Sequence, residues 1–551
     1  MKFFNKEISG TFATVSGIWT TKPDTIKLAS EIPEIGVITS KSIGIKEWDI
    51  PSSNYEKGPS LEPIICEIAT GCLRNNVNLR NTGYERFREE IEGVYRNFPN
   101  DKFFLCSIFD KEKENLAVIA KNLEDVVDGF ELNFSCPHAA EGIGAIGSNK
   151  EATSEYTKAV RNATKKPILV KLTPNVNNIG EIALAAMQAG ADGISAINTY
   201  KADIHYHNSH PVLSRKIGGE SGRNIKDIGV KSVREITKKV GRDVPMIVMG
   251  GITTAEDIIE YRKAGGNTII IGLGTVFMGM TTEKRRKYLP ALMYDIKHGT
   301  NTADQFVVKD LIMQYNEFKI KDIKKVDDDL KIFYFDKDFS CLPGQYVFTW
   351  IPDAGEKPFS VADTNPLTLA VRNVGRFTSA LFEKKKDDVI YVKGPYGQGI
   401  EPVNSPYIVV GGTGAAVGLM LARNCNYPKI FLGATSEKQA LFEKEFREAG
   451  TLIKGIDNGE KGEILRLLYI FLNEEIDKGK TFYNIGPSIF MKKAMKIERE
   501  YTDPKNIYSS LEIETNCGIG LCGQCSINGY LSCIDGPFFN AEFLMDSKQF
   551  Q

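Results

Sequence analysis

Ile168-Leu-Val-Lys-Leu172, then Ile179–Ala189 with apolar residues at helical spacing, then Gly193-Ile-Ser-Ala-Ile-Asn198: this stretch reads as strand, crossover helix and parallel strand. Short apolar runs of the same kind recur at Gly36-Val-Ile-Thr-Ser-Lys41, Phe103-Phe-Leu-Cys-Ser-Ile108, Gly129-Phe-Glu-Leu-Asn-Phe134, Met246-Ile-Val-Met249 and Thr268-Ile-Ile-Ile-Gly272. A further helical pattern covers Ala255–Ala264. A doubly wound open sheet is the alternative, but so many strand–helix units favour closure into a (β/α)8 TIM barrel. In such barrels chemistry sits at the carboxyl ends of the strands, and here those ends are polar. Lys41 ends one run, Asn133 and Cys136 follow another, Lys171 ends a third and Asn198-Thr199 a fourth.

The chain has 551 residues, enough for roughly three or four domains. Its formal net charge of −1 gives no reason to expect nucleic acid or an anionic membrane as partner. No apolar run is long enough to span a bilayer, and Met1-Lys-Phe-Phe-Asn-Lys-Glu7 lacks the apolar core of a secretory signal. Ten cysteines, four of them clustered, fit metal ligation in a reducing compartment better than a disulfide framework. The expectation is a cytoplasmic, multi-domain redox protein.

The four clustered cysteines are Cys517-Gly-Ile-Gly-Leu-Cys522-Gly-Gln-Cys525 and Cys533, a C-x4-C-x2-C-x7-C pattern. Four thiolates on a glycine-rich loop can surround a 2Fe-2S cluster, and the first spacings match the plant-type order. The bland alternative is a structural zinc site, which more often pairs two short C-x2-4-C knuckles. An electron relay needs a donor and an acceptor, so two further redox sites are expected. In the first half, Gly218-Gly219, Gly250-Gly251 and Gly272-Leu-Gly274 let backbone N–H groups approach a phosphate, with FMN the natural occupant. Cys136, within Glu131-Leu-Asn-Phe-Ser-Cys-Pro-His138, is a candidate general base, whereas Cys66, Cys72 and Cys106 read as inert. His205, His207 and His210 read as residues of a long solvated loop rather than metal ligands.

After Lys297-His-Gly299 the helical pattern stops, and Asn301–Phe306 reads as a linker. Leu330-Lys-Ile-Phe-Tyr-Phe335 and Tyr346-Val-Phe-Thr-Trp350, separated by Pro343-Gly344, suggest a small antiparallel β-barrel. Glu356-Lys-Pro-Phe-Ser-Val361 and Gly375-Arg-Phe-Thr-Ser379 offer a cation, hydroxyls and a glycine turn to a flavin and its pyrophosphate. From about residue 405, Tyr407-Ile-Val-Val410 runs into Gly411-Gly-Thr-Gly-Ala-Ala-Val-Gly418, a phosphate-type turn opening a helix. Lys429-Ile-Phe-Leu-Gly-Ala434 and Thr481-Phe-Tyr-Asn-Ile-Gly-Pro487 read as further parallel strands ending at turns.

The first half resembles the catalytic subunit of class 1B dihydroorotate dehydrogenase. The resemblance rests on Thr39-Ser-Lys-Ser42, Leu132-Asn-Phe-Ser-Cys-Pro137, Val170-Lys-Leu-Thr-Pro174, Ile197-Asn-Thr199, Lys216-Ile-Gly-Gly-Glu-Ser-Gly222 and Met249-Gly-Gly-Ile252. It implies that Cys136 removes the C5 proton of dihydroorotate while a hydride leaves C6 for FMN. It also implies that Lys41, Asn75, Asn133, Asn198 and Thr199 hold the pyrimidine. FMN is assigned to Ser16, Gly17, Lys171, Gly218, Gly219, Gly222, Gly250, Gly251, Gly274 and Thr275.

The second half is similar to the electron-transfer subunit of the same class, a relative of ferredoxin reductases, through Pro343-Gly-Gln345, Lys357-Pro-Phe-Ser360, Gly412-Thr-Gly414, Gly486-Pro487 and Glu512. That likeness implies FAD on Lys357, Pro358, Phe359, Ser360, Gly375, Thr378 and Ser379, NAD on Gly412, Thr413, Gly414, Gly486 and Pro487, and the cluster on Cys517, Cys522, Cys525 and Cys533. The chain then looks like a fusion of two subunits: residues 1–300 an FMN barrel, 301–404 an FAD-binding β-barrel, 405–505 an NAD-binding α/β domain and 506–551 the cluster domain. The implied reaction is oxidation of dihydroorotate to orotate in pyrimidine synthesis, with electrons passing from FMN through the cluster to FAD and NAD, in a homodimer formed through the barrel.

Three positions depart from the family pattern: His138 and Asn78 in the substrate loops, and Lys357 where the wider reductase superfamily prefers arginine. The Cys-Pro-His form is also similar to dihydropyrimidine dehydrogenase, so an NAD(P)-linked dihydrouracil dehydrogenase is the alternative substrate reading. A related flavoenzyme with a non-nicotinamide acceptor is another. Ala434-Thr-Ser-Glu437 offers neither a clear ribose carboxylate nor a phosphate-binding arginine, so it does not separate NADH from NADPH.

Overall fold

The computed structural model describes residues 1–48, 63–77, 79–134, 143–213, 218–266, 268–457, 462–474, 479–547 and 550. Two compact units are present: Met1–Leu311 together with Ile519–Tyr530, and Ile312–Gly518 together with Leu531–Gln551.

In the first unit eight parallel strands close in chain order into a barrel: β1 (Phe12–Thr14), β2 (Ile35–Thr39), β3 (Phe103–Ile108), β4 (Gly129–Asn133), β5 (Ile168–Leu172), β6 (Gly193–Ala196), β7 (Met246–Val248) and β8 (Ile269–Leu273). Each is followed by a helix, α1 (Pro23–Ser30), α2 (Tyr84–Tyr95), α3 (Lys113–Leu123), α4 (Lys150–Ala163), α5 (Ile179–Gln188), α6 (Lys226–Val240), α7 (Ala255–Gly265) and α8 (Thr282–His298). This is the closed barrel expected from the strand–helix alternation. Strand β1 has no counterpart among the apolar runs read from the sequence, because three residues are too short to show a period.

Alternation along the strands separates two layers inside the barrel. Ala13, Val37, Phe103, Leu105, Leu169, Ile247 and Ile270, contributed by six strands, pack as one apolar cluster with Phe3 and Ile8 of the N-terminal segment. The Phe3 and Phe103 rings meet edge to face, 5.1 Å apart. Two residues further along their strands, the same inward positions carry Ser107 and Lys171, with Glu131 and Asn133 on β4. The amino end of the barrel is therefore oil-like and its carboxyl end polar. Parallel register puts Glu131 beside Ser107 and Asn133 beside Lys171.

Over the carboxyl face lies an antiparallel sheet in the order Tyr200–Ala202, Gly218–Gly222, Cys72–Asn75, Ile65–Ala69. The region read as a solvated histidine loop contains instead a hairpin, Tyr206–His207 against His210–Pro211. Its two turn residues, Asn208 and Ser209, both have positive φ (46° and 68°), the type I′ geometry that an Asn at the first turn position tolerates. Among the described residues no three His, Cys, Asp or Glu side chains form a site for a single metal ion. The stretch read as a linker is a tight turn, Thr302–Phe306. Asp295 of α8 holds it, accepting from Thr302 N and Oγ1 (both 2.8 Å) and Ala303 N (2.7 Å). Desolvation pushes the Asp295 carboxyl up, but these bonds and one from Thr300 outweigh it and bring it down to about 2.

The second unit begins with a seven-stranded antiparallel sheet: Gly355–Ser360, Tyr346–Ile351, Val389–Tyr396, Asn316–Asp327, Leu330–Phe335, Leu367–Arg372, Asp363–Thr364. Its two edge strands, Gly355–Ser360 and Asp363–Thr364, are separated in the chain only by Val361 and Ala362, so the sheet must curl on itself. A six-stranded sheet follows, ordered Thr451–Ile456, Lys429–Ala434, Tyr407–Gly411, Phe482–Ile485, Ile507–Ser510, Phe538–Asn540, all parallel except the last. The chain reverses its winding between Tyr407–Gly411 and Phe482–Ile485, the place where such sheets open a crevice for ligands. No helix among the described residues is long and apolar enough to cross a membrane.

One buried carboxyl stands out in this sheet. Glu498 is fully buried, accepts from Asn484 Nδ2 at 2.7 Å, and is pushed up to about 8 by desolvation, with that hydrogen bond acting the other way. A carboxyl raised in the folded state contributes stability that is complete below its unfolded value and is lost as pH rises through about 8. Glu498→Gln, which cannot ionise, is therefore expected to raise the melting temperature relative to wild type at pH 8–9. A gain of about 1 kcal/mol corresponds to roughly 2–4 °C for a unit of this size, and the gain should vanish near pH 5. Parallel melting curves at the two pH values check this.

Candidate active site

The polar layer opens into a cleft that reaches solvent. Thirteen of the residues singled out in the sequence line it: Ser16, Gly17, Lys41, Asn75, Asn133, Lys171, Asn198, Thr199, Gly222, Gly250, Gly251, Gly274 and Thr275. Gly218 and Gly219 are not among them. They lie within the strand Gly218–Gly222, paired with Tyr200–Ala202 and, for Gly219, with Asn75, so they form no turn. Cys136, His138 and Asn78 lie outside the described residues.

A continuous chain of hydrogen bonds holds the cleft floor. Ser16 Oγ is 3.0 Å from Ser42 Oγ, which is 2.9 Å from Ser107 Oγ, which donates to Glu131 Oε1 at 3.1 Å. Glu131 is 3.5 Å from Lys171 Nζ, with both side chains buried. Asn133 Nδ2 donates to Ser42 Oγ at 2.9 Å, and Asn198 Nδ2 donates to Asn133 Oδ1 at 3.2 Å. Each amide is thereby oriented, and the Asn133 and Asn198 side chains meet across two strand ends. Asn75 Nδ2 donates to Gly219 O at 3.3 Å, tying the covering sheet to the cleft rim.

Ser42, Ser107 and Glu131 escaped the sequence reading of the site. A charged residue between apolar neighbours in the run Gly129–Phe134 was the available signal for Glu131; the serines offered none. Removing the carboxylate charge with Glu131→Gln takes from the buried Lys171 ammonium its anionic neighbour. Breaking a buried pair in this way is expected to cost about 3 kcal/mol of barrel stability, read as a lower urea midpoint with unchanged slope.

The far side of the cleft is built of glycine. Gly222, Gly250 and Gly251 have φ of 103°, 124° and 70°. A Cβ on Gly251 would come 2.7 Å from Gly222 O, so the two turns press together with no room for side chains. A short 3-10 turn, Thr275–Phe277, follows β8, the common place for a phosphate in these barrels. Polar strand ends beside a bare backbone cradle fit a flavin phosphate on one side and a small polar substrate on the other. Cys106 faces none of this: it is fully buried, and burial pushes its thiol up to about 12, as befits an inert cysteine.

In the second unit, Lys357, Pro358, Phe359 and Ser360 lie on the strand Gly355–Ser360, and Thr378 and Ser379 in the helix Arg376–Glu383 that Gly375 precedes. The Phe359 and Phe377 rings, 5.9 Å apart, bring these two segments together. Thr378 Oγ1 accepts from the N–H groups of Val374 and Gly375 (both 3.0 Å), and Ser379 Oγ donates to Asn373 Oδ1 at 2.9 Å. The glycine turn is thus held rigid, and a Cβ on Gly375 would meet nothing within 4 Å.

Gly412–Gly414 follows the strand Tyr407–Gly411 at the switch point, with Gly486-Pro487 at the end of the adjoining strand. Gly412 is left-handed (φ 60°), with open space where its Cβ would be. A Cβ on Gly414 would come 2.7 Å from Ile485 O, and one on Gly418 would come 2.3 Å from a methyl of Val410. Turn, backbone approach and close helix–strand packing are the three uses of glycine in dinucleotide-binding folds.

The four clustered cysteines are all buried, and none of the described cysteines forms a disulfide. Gly518, Gly520 and Gly523 all have positive φ, near 76°, 76° and 69°, so the loop between the thiols curls repeatedly. Repeated left-handed turns of this kind suit a loop wrapped around sulfides. Within the first unit, the tip of this loop contributes Leu521 to the cleft wall.

The family model for dihydroorotate dehydrogenase matches residues 2–293. A second model, the iron-sulfur cluster binding domain of dihydroorotate dehydrogenase B, matches residues 514–545. The chain is 38% identical over 283 residues to a protein of Pyrococcus abyssi named dihydroorotate dehydrogenase B (NAD(+)), catalytic subunit, a match that covers 51% of this chain and 89% of that protein. The equally named protein of Methanocaldococcus jannaschii is 41% identical over 253 residues, covering 45% of this chain and 78% of its own length. A solved structure of an NADH-dependent reduced ferredoxin-NADP oxidoreductase is 27% identical over 41% of this chain and 88% of its own. Its TM-score of 0.37 is too low to bear on the fold.

Proposed function

Because this chain belongs to the dihydroorotate dehydrogenase family, we propose that its barrel oxidises dihydroorotate to orotate for pyrimidine synthesis, with the electrons delivered to NAD. The observation that carries the reading is the single cleft in which the polar strand ends and the glycine cradle meet. The enzyme is an NAD-linked oxidoreductase of the B class, and its cofactors are FMN, FAD and a 2Fe-2S cluster. The chain is a fusion of the catalytic and electron-transfer parts. That is supported by the two family matches at residues 2–293 and 514–545 on one polypeptide.

Lys41, Asn75, Asn133, Asn198 and Thr199 bind the pyrimidine. The interlocked amides of Asn133 and Asn198 can present donors and acceptors to its ring edge without reorganising. Ser16, Gly17, Lys171, Gly222, Gly250, Gly251, Gly274 and Thr275 would hold the flavin, with glycine backbone N–H groups available to its phosphate. Cys136 takes the C5 proton as general base. When bound, FMN supplies the acceptor for the hydride leaving C6, and the cluster and FAD supply the onward route to NAD. Lys357, Pro358, Phe359, Ser360, Gly375, Thr378 and Ser379 hold FAD. Gly412, Thr413, Gly414, Gly486 and Pro487 hold NAD, and Cys517, Cys522, Cys525 and Cys533 ligate the cluster.

The protein works in the cytoplasm, where its thiols stay reduced, and forms a homodimer through the barrel. Anaerobic addition of dihydroorotate should bleach the flavin and cluster absorbance together, and NAD should then restore it. Bleaching by dihydrouracil but not dihydroorotate would overturn the substrate, and bleaching by NADH alone would leave only the reductase half standing.

A further inference from the structure

The segment after β1 has two faces. Ser16, Gly17 and Ile18 line the cleft, while Thr21, Lys22 and Asp24 grip the loop tip Ile519–Tyr530 some 500 residues away in sequence. Asp24 Oδ2 accepts from Ser526 Oγ at 2.6 Å and from Gly529 N at 3.0 Å, while its other oxygen accepts from Thr25 N at 2.7 Å. Lys22 Nζ donates to Gln524 O at 2.7 Å. Thr21 Oγ1 stands 3.2 Å from Cys522 O and 3.1 Å from Gly17 O, bridging the loop and the cleft wall. Gly279 N donates to Ile519 O at 3.0 Å from the turn after β8.

The fit is as close as backbone allows. A Cβ on Gly523 would come 2.5 Å from Thr21 Oγ1, and one on Gly529 would come 2.8 Å from Asp24 O. The gripped arc contains Cys522 and Cys525, and Leu521 beside them reaches the cleft itself. A loop needed only to wrap a cluster has no use for a carboxylate, an ammonium and a hydroxyl supplied by the flavin-side strand end. A loop that must keep two thiolates at a fixed distance from the flavin does.

We propose that Asp24, Thr21 and Lys22 are positioning residues for electron transfer: they latch the Cys522–Cys525 arc to the edge of the flavin cleft, so that passage of electrons out of the barrel depends on them. The proposal rests on the reading of the cleft as a flavin site and of the cysteines as cluster ligands. None of the three residues touches substrate in it. No new bond or co-reactant is involved; only the rate of one electron step changes.

The test uses the full holoprotein with Asp24→Asn and, from the other side of the same contact, Ser526→Ala. Amide exchange across 519–530, followed by mass spectrometry, should quicken by about tenfold in both variants, as expected for loss of a charge-assisted hydrogen bond. Exchange elsewhere in the barrel should stay unchanged. Iron content and flavin bleaching by dihydroorotate should remain at wild-type levels. Appearance of the reduced-cluster electron paramagnetic signal after mixing with dihydroorotate should slow severalfold. Wild-type exchange in the loop, or a wild-type rate of cluster reduction, overturns the latch. Loss of iron in both variants overturns it too, since the contacts would then serve assembly rather than position. If dihydroorotate fails to bleach even the wild type, the function assigned to the cleft has failed. The latch is then judged by exchange together with NADH-driven reduction of the cluster and the barrel flavin.

Discussion

Cys136→Ala will lower dihydroorotate oxidation by about 10²–10⁴-fold, the usual worth of a general base, and leave NADH-driven dye reduction at its wild-type rate. The C5 hydrogen of dihydroorotate is only weakly acidic, so its removal needs a base held against the ring. The family resemblance assigns that role to the thiol of Cys136, three residues beyond Asn133. A thiol base, with an ordinary value of about 8.5, also predicts a rate that climbs with pH through that region. The variant should flatten this dependence along with the rate. Steady-state assays with each electron donor separately, across pH 6–9, give the answer. Equal loss of both activities would mean that Cys136 maintains structure, and no loss would return the base to another group.

Gly414→Val should give the mirror image. A Cβ there meets the Ile485 carbonyl at 2.7 Å, side chain against backbone, so the turn after Tyr407–Gly411 or the end of Phe482–Ile485 has to move. Overpacking of this kind costs about 1–3 kcal/mol, which borne by the nucleotide turn is a loss of about 10–100-fold in NADH affinity. Anaerobic bleaching by dihydroorotate should persist, and reoxidation by NAD should fail at concentrations that saturate the wild type. The contrast with Gly412 is informative. Its Cβ would meet nothing, so Gly412→Ala tests only the left-handed backbone (φ 60°) and should cost less. Together with Cys136→Ala the pair separates the two ends of the electron line on one polypeptide.

The glycine-rich turn and the polar strand ends were legible because each is local. A residue at the carboxyl end of a parallel strand faces the ligand side whatever else the chain does. The doublet Gly218-Gly219 shows where such reading goes astray. In the chain it resembles Gly250-Gly251, yet it is paired as a strand with Asn75 and its neighbours, a partner more than a hundred residues away. The histidine segment was misread for a smaller reason: a two-residue turn at Asn208-Ser209 carries little weight without a flanking apolar alternation.

Strand–helix alternation favours a parallel barrel from the amino-acid sequence alone, and the structure closes it. Cysteine spacing likewise points to a cluster, because ligand geometry constrains neighbours along the chain. What lies across the barrel could not be read that way. The relay Ser16–Ser42–Ser107–Glu131–Lys171 joins three strands and the loops after the first two. The grip of Asp24 on Ser526 spans nearly the whole chain. These pairings follow from barrel closure and from the docking of a distant loop. Hydrogen bonds between residues far apart in sequence leave no periodic trace, since any serine or aspartate on the surface of the pattern would look the same.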